Sequence, residues 1–183
     1  MFSEALTGEP LALDLVNTVV GPPGAETDLL GSPEALRAWL AAERDRLGRA
    51  DGEIDPGAVR TLRGHVEAAI QAARAGQPPP PAALRAITAA LRDAPAYQEL
   101  AWDGKGVTAV SRRPGSPTAI LLAQLAAAAA ELLTSPAIRQ VRRCEGRDCR
   151  MLFLPANPRR RWCSPALCGN RARVARYYQR HKD

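Results

Sequence analysis

Four cysteines are the residues best placed to do chemistry. Cys144, Cys149, Cys163 and Cys168 follow the spacing C-x4-C-x13-C-x4-C. Two close pairs of thiolates suit a tetrahedral structural zinc site, because each pair fills two adjacent corners and the spacer brings the second pair back opposite the first. The x4 gap is looser than the familiar x2 gap. An iron–sulfur cluster also takes four thiolates, and spacing alone leaves it open. Four cysteines allow three disulfide pairings, but nothing in the sequence marks export, and cytoplasmic thiols stay reduced. A redox pair would prefer C-x-x-C beside a βαβ unit, and none is present.

The surrounding residues supply elements to hold such a site. Residues 141–144 and 151–154 are expected as two short strands joined by a loop over 145–150, with 159–163 as a third extended piece. Ser164-Pro165 then starts a helix and puts Cys168 in its first turn. A knuckle followed by a helix N-terminus is a treble-clef-like arrangement. About 45 residues with few large apolar groups bury little core, so metal binding is expected to hold this tail together.

Charge gathers in the same place. Residues 139–183 hold 13 basic and three acidic residues, or +10; the preceding residues hold 12 and 16, or −4, within a net charge of +6. A weakly acidic body with a basic tail points to nucleic acid or an anionic surface as the partner of the tail. On a helix over 165–181, Leu167, Arg171, Val174 and Tyr178 share one face, expected to pack on the knuckle. Arg173, Arg176 and Arg180 share another, free for phosphates or guanine edges. The candidate nucleic-acid contacts are Arg159, Arg160, Arg161, Asn170, Arg171, Arg173, Arg176, Tyr177 and Arg180. Asn170 suits adenine or, equally, an ordering role in the metal loop, and Trp162 is expected in the core of the finger. One small module covers little DNA, roughly 600 to 1,000 Å², so a homodimer built on the body is expected.

The body must position this tail, and its sequence reads as mainly helical. Ala accounts for 35 of the 183 residues, and Ala favours helices. Helix starts are marked by Ser32-Pro33, Asp55-Pro56, Ser116-Pro117 and Ser135-Pro136. Apolar stripes follow: Leu36, Trp39, Leu40 and Leu47; Val59, Leu62, Val66 and Ile70; Leu84, Ile87 and Leu91; and Ile120, Leu121, Leu125 and Leu132. Residues 97–111, with Asp103-Gly104 near their middle, predict a small hairpin. Residues 11–18 are read as a helix on which Asp14, Asn17 and Thr18 share a face. Those three polar groups form either an internal hydrogen-bond network or the polar end of a small-molecule pocket. The fold class is mainly α with a small β-hairpin: a helical N-terminal domain over 1–137, then a four-cysteine zinc finger over 138–183.

The chain resembles the CGNR zinc finger family in Cys144-x4-Cys149, Phe153, Arg160-Arg161-Trp162-Cys163-Ser164 and Cys168-Gly169-Asn170-Arg171, followed by Arg173, Arg176 and Tyr177-Tyr178. The body resembles the ABATE domain that accompanies this finger in bacteria, in residues 13–18, Asp28-Leu29-Leu30, Pro33, Leu36 and Trp39-Leu40. The resemblance implies zinc on the four cysteines, DNA binding by the C-terminal module and a role in stress-induced transcription regulation.

Other functions find less support. Only His65 and His181 are present, and no nucleophile–His–acid order, phosphate-binding glycine loop or H-E-x-x-H motif occurs, so no enzyme is expected. No run of about 18 apolar residues stands out, the nearest being 120–133 with Gln124 and Glu131, so no membrane span is expected. Met1-Phe2-Ser3-Glu4 carries no basic n-region, which fits a cytoplasmic protein. The alternative to DNA binding is an RNA-binding finger or a protein–protein adaptor without DNA specificity. The RNA reading has few aromatic stacking sites behind it.

Overall fold

The computed structural model describes residues 7–22, 24–48 and 52–181. The body runs α1 (Leu11–Val16), β1 (Val19–Val20), β2 (Thr27–Asp28), α2 (Pro33–Ala42), α3 (Arg44–Leu47), α4 (Pro56–Arg74), α5 (Pro81–Asp93), β3 (Tyr97–Trp102), β4 (Val107–Arg112) and α6 (Pro117–Thr134). A 3-10 turn (Pro136–Gln140) leads to β5 (Arg142–Arg143) and β6 (Leu152–Phe153). A π-turn (Pro165–Gly169) then opens directly into α7 (Asn170–Arg180). Helices dominate, and among the described residues the strands form three separate antiparallel pairs.

Every Ser-Pro or Asp-Pro start is used. Ser32, Asp55, Ser116, Ser135 and Ser164 each accept a hydrogen bond from a backbone N–H of the first turn, with Pro at the following position. The side-chain oxygen satisfies an orphan donor, and Pro loses nothing where its missing N–H would be unpaired.

The core lies where α4, α5 and α6 pack together and α1 lies across α4 and α6. Trp39, Leu13, Leu15, Val59, Val66, Ile70 and Leu125 are fully buried in it. The third stripe departs from expectation at one member. Leu84 is 43% exposed, whereas Ile87 is buried beside Ala83 and Ala90 and Leu91 packs against the same core. The small side chains of Ala83 and Ala90 allow α5 to lie close against the Ala-rich α6. The apolar run in α6 also exceeds expectation: 18 residues at mean hydropathy 1.4 are long and apolar enough to cross a membrane. In this fold α6 is the central helix, with Leu121, Ala123, Leu125, Ala126, Ala129 and Leu132 buried against its neighbours.

The tail is built into the body through β6. Successive side chains of a strand point to opposite faces, and here Leu152 enters the core of the body while Phe153 enters a second core with Cys144, Met151 and Cys168. Val20, from the body, packs on that second core.

Candidate metal centre and basic helix

The loop between β5 and β6 carries the first two cysteines, and the π-turn carries the last. Cys144 N donates to Met151 O at 2.9 Å and Cys149 N to Gly146 O at 3.1 Å, which closes the knuckle. Residues 159–163 form no strand, but Glu145 N donates to Arg161 O at 3.0 Å and lays that segment along the knuckle. Ser164 Oγ accepts from Leu167 N and fixes the turn that presents Cys168.

The four Sγ atoms lie within 4.8 Å of one another. Zn–S bonds of about 2.3 Å place tetrahedral corners about 3.8 Å apart. Cys149 and Cys163 are 3.9 Å apart, and Cys163 and Cys168 3.6 Å apart. The donor set therefore fits zinc in number, chemistry and spacing. Donors surround the sulfurs: Gly146 N reaches Cys144 Sγ at 3.4 Å, Cys163 N reaches it at 3.2 Å, and Arg171 reaches Cys168 Sγ at 2.9 Å. Such donors stabilise thiolate charge. The sulfurs cannot all be anionic side by side without a cation. The Cys163 thiol is pushed far up by its contact with Cys149 and by burial, and Cys149 falls to about 5. Burial raises Cys144. Gly146 leaves room for the sulfurs, because a Cβ there would sit 3.0 Å from Cys168 Sγ and 3.4 Å from Cys144 Sγ and press on both.

The arginines expected to contact nucleic acid divide into two groups. Arg160 is held within the protein: it donates to Cys163 O at 2.5 Å, Trp162 O at 3.0 Å and Glu9 at 2.6 Å, and its guanidinium lies over Phe153. Arg161 pairs with Glu145, and Arg171 with Cys168. Arg160 and Arg171 thus brace the finger, which answers the physical need to balance thiolates and cap carbonyls. Arg159 and Asn170 are exposed beside it. Arg173, Val174, Arg176, Tyr177 and Arg180 line one open face of α7.

The expected inward face of α7 does not pack. Leu167, Val174 and Tyr178 are 47%, 46% and 65% exposed, and α7 buries no residue. Among the described residues the helix packs chiefly on the π-turn at its root, because the knuckle is too small to reach further along it. Tyr177 meets Tyr178 edge to face and stacks on His181.

Asp14, Asn17 and Thr18 are all buried, and each is engaged by protein groups, the arrangement of an internal hydrogen-bond network. α1 ends at Val16, with Asn17 as its C-cap, and the three side chains reach different partners. Asn17 Nδ2 donates to Leu152 O, and Asn17 Oδ1 accepts from Leu152 N, both at 2.8 Å. Thr18 Oγ1 donates to Leu15 O and accepts from Arg63, whose guanidinium also grips Asp28 at 2.7 Å. Asp14 accepts from Gly8 N, Glu9 N and Arg46, and Arg46 also pairs with Glu43. Burial pushes the Asp14 carboxyl up to about 7 against the pull of Arg46.

Glu9 links these two regions. Its backbone meets Asp14 and Arg46, and its carboxylate takes Arg160 and Leu154 N. Sequence reasoning missed Glu9, Arg46 and Arg63, whose partners Arg160, Asp14, Thr18 and Asp28 lie far along the chain and leave no periodic signal, and with them Glu43, which shares the guanidinium of Arg46.

The fold and site define a four-cysteine zinc-finger protein in which a small finger is docked on a helical body. Residues 9–136 match the family model described as "ABATE: Putative stress-induced transcription regulator", and residues 140–181 match the CGNR zinc finger. The chain belongs to the ABATE family and carries a CGNR zinc finger. It matches none of the curated proteins.

Proposed function

We propose that this chain is a cytoplasmic transcription regulator that binds duplex DNA through α7 and the exposed rim of its zinc finger, while the body senses a ligand or mediates assembly. The observation that carries this is the open face of α7. Arg173, Arg176 and Arg180 stand around Tyr177 on a helix that buries none of its residues, rooted on the turn that holds Cys168. A helix anchored at one end and bare along its length is shaped for a major groove, where Arg meets guanine or phosphate with two parallel hydrogen bonds. Arg159 and Asn170 stand at the root for backbone or base contacts. Zinc, held by Cys144, Cys149, Cys163 and Cys168, supplies the cross-link that fixes this helix to the knuckle. No catalysis is assigned to the chain, and a reducing compartment keeps its four thiols available as ligands.

The test is duplex-DNA binding by the zinc-loaded full chain across a salt series. Binding is expected to weaken steeply with salt. Arg176→Ala is expected to weaken binding and to lower the slope by about one unit as a phosphate contact. Chelation is expected to abolish binding. RNA competing better than duplex DNA, or no nucleic-acid affinity at low salt, would replace this reading with the RNA-binding or adaptor role.

A further inference from the structure

The β3–β4 hairpin has no part in the core or the finger. Every residue of both strands is exposed. Tyr97 pairs with Arg112, Glu99 with Val110 and Ala101 with Thr108 on one face; Gln98 pairs with Ser111, Leu100 with Ala109 and Trp102 with Val107 on the other. The second face is apolar over two consecutive pairs: Leu100, Trp102 and Val107 are 67%, 68% and 70% exposed. The turn is well made, with Asp103 Oδ1 accepting from Lys105 N and Gly106 N at 2.9 Å. Arg113 ties the base to Ala94 O at 2.6 Å. An isolated two-stranded hairpin is at best marginally stable in water, and this one presents its largest side chains to solvent.

We propose that the Leu100–Trp102–Val107–Ala109 face of the hairpin is the surface on which a second copy of this chain docks. Charge decides the occupant. Residues 97–112 carry two acidic residues (Glu99, Asp103) and two basic ones (Lys105, Arg112), so the hairpin is neutral within a chain of +6. Glu99 and Arg112 are already paired on the other face at 2.7 Å. The apolar face therefore offers a charged partner nothing to aim at. A copy of itself brings the same apolar pairs and the same balanced charges, without the like-charge repulsion that two basic tails would meet.

Area agrees. Three large side chains about two-thirds exposed present on the order of 400 Å² of apolar surface, the size of patch that marks interaction sites. That is about half of the roughly 800 Å² each partner contributes to a stable interface. This deepens the assembly role proposed for the body, but it stands whether or not the finger holds DNA, because its test contains no nucleic acid.

The experiment is sedimentation of the full zinc-loaded chain at rising concentration. Twice the single-chain mass is expected by about 10 µM, following mass action. The double variant Leu100→Asp, Trp102→Ser is expected to weaken association about a hundredfold and to keep the helical circular-dichroism signal, since neither residue touches the core. Tryptophan emission gives a second readout: Trp102 is the exposed indole, whereas Trp39 is buried and Trp162 half-buried. Emission should move to the blue as the protein associates. A single-chain mass up to about 100 µM, a doubled mass that survives the double variant, or emission independent of concentration would each overturn the proposal.

Discussion

The body and the finger sit side by side in one chain and are stabilised by different physics. The body is held by apolar burial: α4, α5 and α6 enclose Val59, Val66, Ile70, Leu125 and a fully buried Trp39. The finger has a core of little more than Phe153, Met151 and its own cysteines. What the finger lacks in burial it makes up with a metal and with polar ties to the body. Asn17 presents an amide to both backbone groups of Leu152 as a neighbouring strand would, and Glu9 seats Arg160. The difference teaches that the cross-link and the docking are separable supports. Zinc fixes the knuckle and the root of α7, while Leu152 and Asn17 fix where the finger sits.

Removing the metal should therefore have the largest effect and leave the body standing. Structural zinc contributes on the order of 10 kcal/mol or more to the folding of such modules. Cys163→Ser takes away a ligand that lies 3.6 and 3.9 Å from two other sulfurs. The wild-type chain is expected to hold one zinc and the variant to hold none, with the helical signal of the body still melting cooperatively. Unchanged metal content in the variant would defeat the four-thiolate site. Collapse of the body together with the finger would show that the two supports are one.

How much of this comparison was legible beforehand follows from the range of the interactions. Local chemistry was readable: Ser164-Pro165 caps and starts a turn wherever it occurs, Asp103-Gly104 closes a hairpin, and four thiols in two pairs imply a cation. Interactions between distant parts of the chain were not. Nothing near Asn17 says that its amide serves Leu152, which lies 135 residues away. The Arg run at 159–161 reads as one basic patch, yet Arg160 turns inward because Glu9 and the Cys163 carbonyl are there to receive it. The periodicity of α7 suggested an apolar seam, but a seam needs an opposing surface, and the knuckle ends too early to provide one. Leu84 misled for another reason: α5 packs through Ala83, Ile87 and Ala90, and Leu84 falls outside that face.

The alternation at β6 allows the two supports to be pulled apart by neighbouring substitutions. Leu152→Ala leaves a hole in the core of the body and should cost that core about 2–5 kcal/mol, read as a lower melting temperature with zinc affinity little changed. Phe153→Ala removes the largest apolar group of the finger and the surface under Arg160. It should cost about 3–5 kcal/mol, read as weaker zinc retention against a chelator while the melting of the body stays in place. Identical phenotypes for the two would mean that the cores are one unit.

The last expected effect is one of direction. Two carboxylates, Asp14 and Glu43, share the single guanidinium of Arg46 in a buried site, and burial raises Asp14 from 3.8 to about 7. A carboxyl with a raised folded-state pKa binds its proton more tightly folded than unfolded. Its stabilising contribution is complete below the unfolded value and is lost as pH rises through the folded one. The body should thus lose stability between about pH 4 and about pH 7, by at most about 1.4 kcal/mol per pH unit for one proton, and then level off. The finger should behave in the opposite sense, because protons compete with zinc for thiolates and loosen it as pH falls. Urea midpoints followed through the helical signal, set beside zinc content at the same pH values, separate the two. Asp14→Asn should flatten the slope of the body without touching that of the finger. A slope that persists in the variant would move the titration to another group and leave Asp14 ionised against Arg46 throughout.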